Sequence, residues 1–432
     1  MSKDIFTILQ GLPCVSLVEP STKDVGAAGQ AFHIHAHKNG REWKLIIHVS
    51  DTFPFDLPKI SIENAADYQA MGHIDWHGDV CYIDKQGLVI DYNRTQDLIL
   101  DCVDEALETL DENFNDPHKV ELQNDFKSYW ESLPSLGFKT TCFVSYDGNV
   151  KELTAYRDSR NERKTKKTTC FAVVEDNHGI VNYYYLINTL KGKKTEKSIY
   201  IPLDMPATPP SPKQHWNAAD IVNVFEALAN TNIKKIALNL AKKQKWSNYF
   251  TIIFSHPRSD SGHIFWGVQF HRKDTAPHPL LDPKSDWDIS PLLLGLHNKE
   301  HLLERSANTA NLDKNRVAIV GCGSVGSGIA VQLAKAGIGE LHLIDFDKME
   351  VENIYRHTLG ATALNNESDG FYKTDALLFK IATDIPYTKI VNFNDHLLNL
   401  TVKKGFFEYF DAIVIATGDF TCELFLIDYI KH

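Results

Sequence analysis

Seven cysteines in 432 residues, at positions 14, 81, 102, 142, 170, 322 and 422, include no Cys-x-x-Cys pair. An odd, scattered set excludes a disulfide framework and a zinc ribbon, and it reads as reduced thiols. No apolar run approaches the ~18 residues that a membrane span requires. The opening MSKDIFTILQGLPC places Asp4 where a signal peptide has an unbroken apolar stretch. Positive charge is in deficit, 45 Lys+Arg against 56 Asp+Glu for a net charge of -11, which argues against nucleic acid as the main partner. The expectation is a cytoplasmic protein with neither membrane nor nucleic acid among its partners.

What is present is an ordinary globular composition, 43% hydrophobic and 23% charged, over a length that at ~150 residues per domain gives about three domains. Charge divides the chain: residues 1–138 hold 10 Lys+Arg against 23 Asp+Glu, and residues 139–280 hold 21 against 12. Separate units are expected at 1–138, 139–290 and 291–432. In the first, 30–37 and 43–49 read as strands, with Trp43, Leu45, Ile47 and Val49 alternating and Asn39-Gly40 as the hairpin turn. A short strand at 59–62, a helix at 95–113 and a second helix near 118–132 complete an α+β unit. His33, His35 and His37 alternate on one strand but lack a spaced partner pair, so they read as a solvated face rather than a metal site.

The second unit is β-rich (TTCFVSY, TTCFAVV, VNYYYLI, SIYIPL), with lysine-rich turns at 163–167 and 191–197 and a helix followed by a strand within 216–245. Residues 274–291, rich in proline and aspartate, read as a linker or irregular connection. Cys14, Cys102, Cys142 and Cys170 lie in apolar stretches and read as core.

In the third unit RVAIVG is a buried-strand run, SVGSGIAVQLAKAG a helix and ELHLIDFD a second strand: one βαβ unit of a doubly wound, Rossmann-like α/β sheet. Gly321, Gly323 and Gly326 form the turn between strand and helix, where backbone N–H groups at a helix N-terminus suit a phosphate. Asp345 ends the second strand 19 residues after Gly326, placed for a ribose hydroxyl. Alone, this pattern favours a dinucleotide-binding dehydrogenase. The residues that follow do not: Asp347, Asn353, Arg356, Lys373 in Gly370-Phe371-Tyr372-Lys373, and Asp419 at the end of DAIVIATGD suit a triphosphate with Mg²⁺ better than a nicotinamide.

This ordered set resembles the ubiquitin-activating and ThiF/MoeB-like adenylating family. The resemblance implies that Asp345 holds the ribose of ATP, Asn353, Arg356 and Lys373 its phosphates, and Asp419 the Mg²⁺ and phosphates. Arg305 stands where such dimers insert an arginine into the partner's site, which implies a homodimer. As written, this adenylating domain reads as C-terminally incomplete, because the family continues through a cysteine-bearing loop; Cys422, close behind Asp419, reads as a helix–sheet contact instead.

The first unit carries Phe53-Pro54-Phe55-Asp56-Leu57-Pro58 and then His73-Ile74-Asp75-Trp76-His77-Gly78-Asp79-Val80-Cys81 before its long helix. It resembles the ubiquitin-conjugating fold, and lining it up on the cysteine makes Cys81 the thioester residue. His73 then takes the place of the asparagine that stabilises the oxyanion, a task an imidazole can perform. A thiol suits the role, since thiolate is strongly nucleophilic and a thioester stays reactive towards an amine. The alternatives for Cys81 are a buried structural cysteine and a non-catalytic conjugating-like domain.

Conjugating, β-rich and adenylating units in one chain resemble the fused activating–conjugating enzymes of bacterial antiphage operons of the CBASS type. That resemblance implies ATP-dependent activation of the C-terminus of a cGAS-like nucleotidyltransferase, and transfer through Cys81 to a target amine. Two other readings stand beside it: a scaffold without catalysis, in which Cys81→Ala is silent, and a nicotinamide oxidoreductase using 315–345.

Overall fold

A computed structural model describes residues 2–21, 29–64, 68, 70–75, 77–84, 87–116, 119–132, 139–158, 169–175, 194–210, 216–259, 262–282, 286–305, 312–364, 370–385, 387–401 and 405–431. The strand expected at 181–187 and the lysine-rich turn at 163–167 lie outside them, as do the side chains of Cys170 and Arg305.

The first sheet is an antiparallel meander of β1 (Val15–Pro20), β2 (Gly29–Lys38), β3 (Arg41–Ser50) and β4 (Lys59–Ile62). Lys38 pairs with Arg41 across a two-residue loop. Asn39 and Gly40 take φ of 50° and 78°, as a turn matched to strand twist demands. Alternation sends Trp43, Leu45, Ile47 and Val49 to one face, all but fully buried, against Ile99, Cys102, Val103, Ala106, Leu107 and Leu110 of helix α2 (Thr95–Asn115). Two short helices follow, α3 (Val120–Asn124) and α4 (Phe126–Ser132), where the sequence suggested one. The histidines of β2 face Glu63, Glu42 and Ser16.

Seven strands then close a barrel in the order β10-β11-β5-β7-β6-β8-β9. They are β5 (Lys139–Cys142), β6 (Lys151–Asp158), β7 (Thr169–Glu175), β8 (Lys194–Pro202), β9 (Ser247–Pro257), β10 (His263–Ala276) and β11 (Asp288–Leu296). Three expectations need correction here. Residues 218–226 and 231–243 are two helices, α5 (Ala218–Glu226) and α6 (Thr231–Lys243), with no strand between; Asn217 and Asn230 cap them, and Ala237 and Ala241 recur at helical spacing on the buried face. Lys194–Lys197 belongs to β8 rather than a turn, because its backbone pairs with β6. Of the two readings of 274–291 the linker falls and the irregular connection holds: β10 runs to Ala276, β11 starts at Asp288, and Leu280 and Trp287 between them pack into the core.

Helix α7 (Lys299–Arg305) leads to a parallel sheet ordered β14-β13-β12-β15. Its strands are β12 (Arg316–Val320), β13 (Glu340–Ile344), β14 (Lys389–Phe393) and β15 (Ala412–Ile415), and its helices α8 (Ser324–Lys335), α9 (Lys373–Asp384), α10 (Leu397–Thr401) and α11 (Phe420–Lys431). The chain adds β13 and β14 on one side of β12 and β15 on the other. That reversal opens a crevice at the strands' C-terminal ends, where such sheets bind ligands. None of the described helices is long and apolar enough to cross a membrane.

Candidate functional site

At that crevice lies a cavity of about 510 Å³. Three glycines make it possible, each for a different reason. Gly321 turns with φ of 90° where a Cβ would fall 2.4 Å from the Ala416 carbonyl oxygen. A Cβ on Gly326 would meet the Gly321 oxygen at 1.8 Å, so only glycine lets α8 start against the turn. Gly323 faces open space and lines the cavity. It is also the N-cap of α8, and no side chain caps that terminus. The positive end of the helix is left to a ligand.

Around this terminus the sequence-separated residues converge. Asn353, Arg356 and Lys373 line the same cavity as Gly323. Lys373 is largely buried and bonds Asp347 Oδ2 at 2.7 Å. Asn353, also buried, spends its Oδ1 on the Glu350 N–H, which fixes the turn rather than reaching outward. Arg356 is exposed and makes no salt bridge among the described residues. Asp345 stands behind the turn, its Oδ2 accepting the Cys322 N–H at 2.7 Å and its Oδ1 the Asp347 N–H. Asp419 follows the lining residue Gly418 without itself lining the cavity, and its Oδ1 accepts the Thr421 and Cys422 N–H groups, capping α11. Its other oxygen engages none of the described residues.

Two residues here escaped the sequence. His357 is buried, with Nε2 2.6 Å from the Cys322 carbonyl oxygen and Nδ1 accepting the Leu359 N–H. Burial lowers its pKa, so it is a neutral strut holding the glycine turn in place. Glu423 accepts from the Thr417 hydroxyl and the Gly418 N–H, closing the cavity's far wall. The one available signal was position: His357 directly follows Arg356. Burial drives the Cys322 thiol far up, which removes it as a nucleophile.

The thiol site is a second cleft, of about 1160 Å³. Segment 73–81 folds back on itself. Asp75 Oδ1 accepts the N–H groups of His77 and Asp79, Ile74 bridges Val80, and Cys81 N–H donates to the His73 carbonyl at 2.7 Å. The Val80 N–H bonds Ile60 and the Ile62 N–H bonds Gly78, so β4 carries the loop. Cys81 ends exposed on the cleft wall, which rules out a buried structural cysteine. His73 lines the same cleft in the left-handed region, φ 60°. Glu121 and Asp125 lie 3.5 and 3.9 Å from its ring nitrogens, contacts with no signal in the sequence. Of the remaining cysteines, Cys102 and Cys142 are core, whereas Cys14 and Cys422 are only half buried.

A glycine turn whose helix terminus has no side-chain cap, with Arg356 and Lys373 on the same cavity, suits a phosphate, and an exposed thiol that shares a cleft with His73 suits acyl transfer. Comparison with known proteins agrees. Residues 300–432 match the ThiF family, and residues 21–138 match the prokaryotic E2 family B. The chain is 25% identical over 385 residues to the ATP-dependent ubiquitin transferase-like protein Cap2 of Escherichia coli (strain TW11681), covering 81% of this chain and 62% of the relative. It is 23% identical over 352 residues to the protein of the same name from Pseudomonas aeruginosa (strain BWHPSA011 / Pa011), covering 76% and 60%. It is also 31% identical over 120 residues to ubiquitin-like modifier-activating enzyme 5 of Oryza sativa subsp. japonica, covering 27% of each. The chain thus spans about three fifths of the length of the two Cap2 relatives. The chain is thus similar to the prokaryotic E2 family B near its start, to the ThiF family near its end, and to those two relatives over most of its length.

Proposed function

We propose that the chain activates the C-terminal carboxylate of a partner protein with ATP and passes it through a thioester on Cys81 to a target amine. The carrying observation is that one polypeptide holds both a helix terminus without a side-chain cap, with Arg356 and Lys373 on its cavity, and an exposed thiol in one cleft with His73. In this reading 1–138 is the conjugating unit and 291–432 the adenylating unit, and the barrel of 139–290 that joins them runs on through β11 to Leu296, six residues past the expected boundary.

A carboxylate oxygen attacks the α-phosphorus of ATP; the bond to the β-phosphate oxygen breaks and pyrophosphate leaves. The α8 terminus, Arg356 and Lys373 stabilise the charge that develops on the phosphates. Asp345 takes the ribose, and Asn353 holds the turn that carries Arg356. Magnesium bound with the nucleotide would neutralise phosphate charge, and Asp419, next to the lining residue Gly418, would hold it, since Mg²⁺ takes one or two carboxylates and the substrate's phosphates; no cluster of three acidic, His or Cys ligands occurs among the described residues. A thiolate attacks the carbonyl of the acyl-adenylate, the acyl–phosphate bond breaks and AMP leaves, and the acyl group reaches Cys81 as a thioester. The amine attacks that carbonyl, His73 donates to the oxyanion, and the thiolate departs.

By its resemblance to antiphage fusions of the CBASS type, the partner is the C-terminus of a cGAS-like nucleotidyltransferase in a bacterial cytoplasm. The adenylating unit would pair as a homodimer. The nicotinamide reading finds no support at the cavity, whose walls carry Arg356 and Lys373 near the helix terminus. Calorimetry separates the readings: Mg·ATP binds, Lys373→Ala and Arg356→Ala each weaken it about tenfold or more, and NAD(H) does not bind. NAD(H) binding with no response to Mg·ATP would overturn the proposal.

A further inference from the structure

Helices α3 and α4 belong to two units at once. On one side Leu122 and Tyr129 pack with Ala70, and the Tyr129 hydroxyl donates to the Met71 carbonyl at 2.6 Å. On the other, Phe126 and Trp130 are fully buried in the aromatic cluster outside the barrel, with ring centroids 5.0 Å from Trp266. Trp130 Nε1–H donates to the Gly267 carbonyl of β10 at 2.8 Å. Both backbone groups of Leu294 in β11 are also held from α4, the carbonyl by Lys127 Nζ and the N–H by Glu131. Asn124 in α3 bonds Ser259, which follows β9.

Asp125, at the junction of the two helices, reaches the thiol site. Its Oδ2 accepts the His73 N–H at 2.6 Å and lies 3.9 Å from His73 Nδ1. His73 is not glycine, yet its φ is 60°. A non-glycine residue in the left-handed region crowds its Cβ against the backbone and persists only where its surroundings over-determine it. Asp125 and Tyr129 supply that constraint from one side, and the Cys81 N–H on the His73 carbonyl supplies it from the other.

We propose that α3–α4 is the positioning element of the thiol site: Asp125 sets the backbone of His73 beside Cys81, and the barrel holds Asp125 in place. The middle unit is then a frame for thioester chemistry rather than a spacer. Asp125 is a positioning residue, since it acts through His73. This inference rests on the reading of Cys81 as a thioester residue, and its test separates the two.

The full chain is compared with Asp125→Ala, Asp125→Asn and Trp130→Phe in two assays. The first is backbone hydrogen exchange over 71–82. The second loads Cys81 from a peptide C-terminal thioester and follows discharge to free lysine. Asp125→Ala should speed exchange at 73–81 and cut the maximal discharge rate about tenfold or more, with half-saturating lysine little changed. Asp125→Asn keeps an acceptor oxygen for the His73 N–H and should recover to within about threefold of the parent. Trp130→Phe, 48 residues beyond the end of that segment in sequence, should also speed exchange at 71–82. Unchanged exchange in Asp125→Ala, a loss in Asp125→Asn as deep as in Asp125→Ala, or no effect of Trp130→Phe would overturn the proposal. If the parent takes up no acyl group, the thioester reading falls while the exchange data still decide the positioning.

Discussion

Gly323 and Gly326 stand three residues apart and differ in what a methyl group would meet: open cavity at the first, the Gly321 carbonyl oxygen at 1.8 Å at the second. Gly326→Ala should therefore destabilise the adenylating unit by on the order of 2 kcal/mol or more, read as a lower midpoint in thermal unfolding. Gly323→Ala should leave that midpoint within about 0.5 kcal/mol of the parent while weakening ATP binding, because the added carbon occupies ligand space. The glycine turn was legible because its spacing encodes backbone geometry, and Cys81 because thiol chemistry constrains its neighbours. His357, Glu423 and Asp125 were not legible, since their roles rest on hydrogen bonds to backbone atoms 5 to 52 residues away, and neither was Glu121, which faces the His73 ring. Such bonds leave no residue pattern. His357→Phe should keep the volume but lose the strut to Cys322, weakening Mg·ATP more than it lowers stability, which calorimetry and thermal unfolding together resolve.

Elements were read well where one periodicity ruled. The β2–β3 hairpin followed from Asn39-Gly40 and the alternation from Trp43 to Val49, and α2 from its apolar spacing. Misreadings arose where tertiary contacts overrode local signals. Residues 274–291 hold prolines that suggest a linker, yet Leu280 and Trp287 bury into the barrel's outer core. Helix α4 shows what such burial is worth. Trp130→Ala should cost about 3–5 kcal/mol by opening a cavity beside Trp266, and chemical denaturation would measure it. Trp130→Phe should cost much less, since it retains most of the contact area and forfeits one hydrogen bond.

Taken whole, the molecule places buried, uncharged histidines in the structure that joins its two chemical units. Burial lowers the pKa of His256 to about 4 and of His278 to about 3, against an ordinary value of 6.5. Below pH 6.5 the unfolded chain takes up protons at these positions and the folded chain does not. Stability should thus be full above about pH 6.5 and fall as pH drops towards 4, by up to about 1.4 kcal/mol per pH unit for each histidine. Denaturation midpoints at pH 7 and pH 5 check this, and the slope should shrink in His278→Phe. If α3–α4 is positioned by the barrel, thiol reactivity and barrel stability should decline together on acidification.

The central claim, that carboxylate activation and thioester transfer meet in one chain, is tested most directly by purifying the protein from its own cells at acid pH without reductant and weighing it intact. The account predicts a covalent adduct on Cys81 that is released by a thiol, depends on ATP, and is absent from both Cys81→Ala and Lys373→Ala. An unmodified chain under every condition, or an adduct that persists in Cys81→Ala, would contradict it.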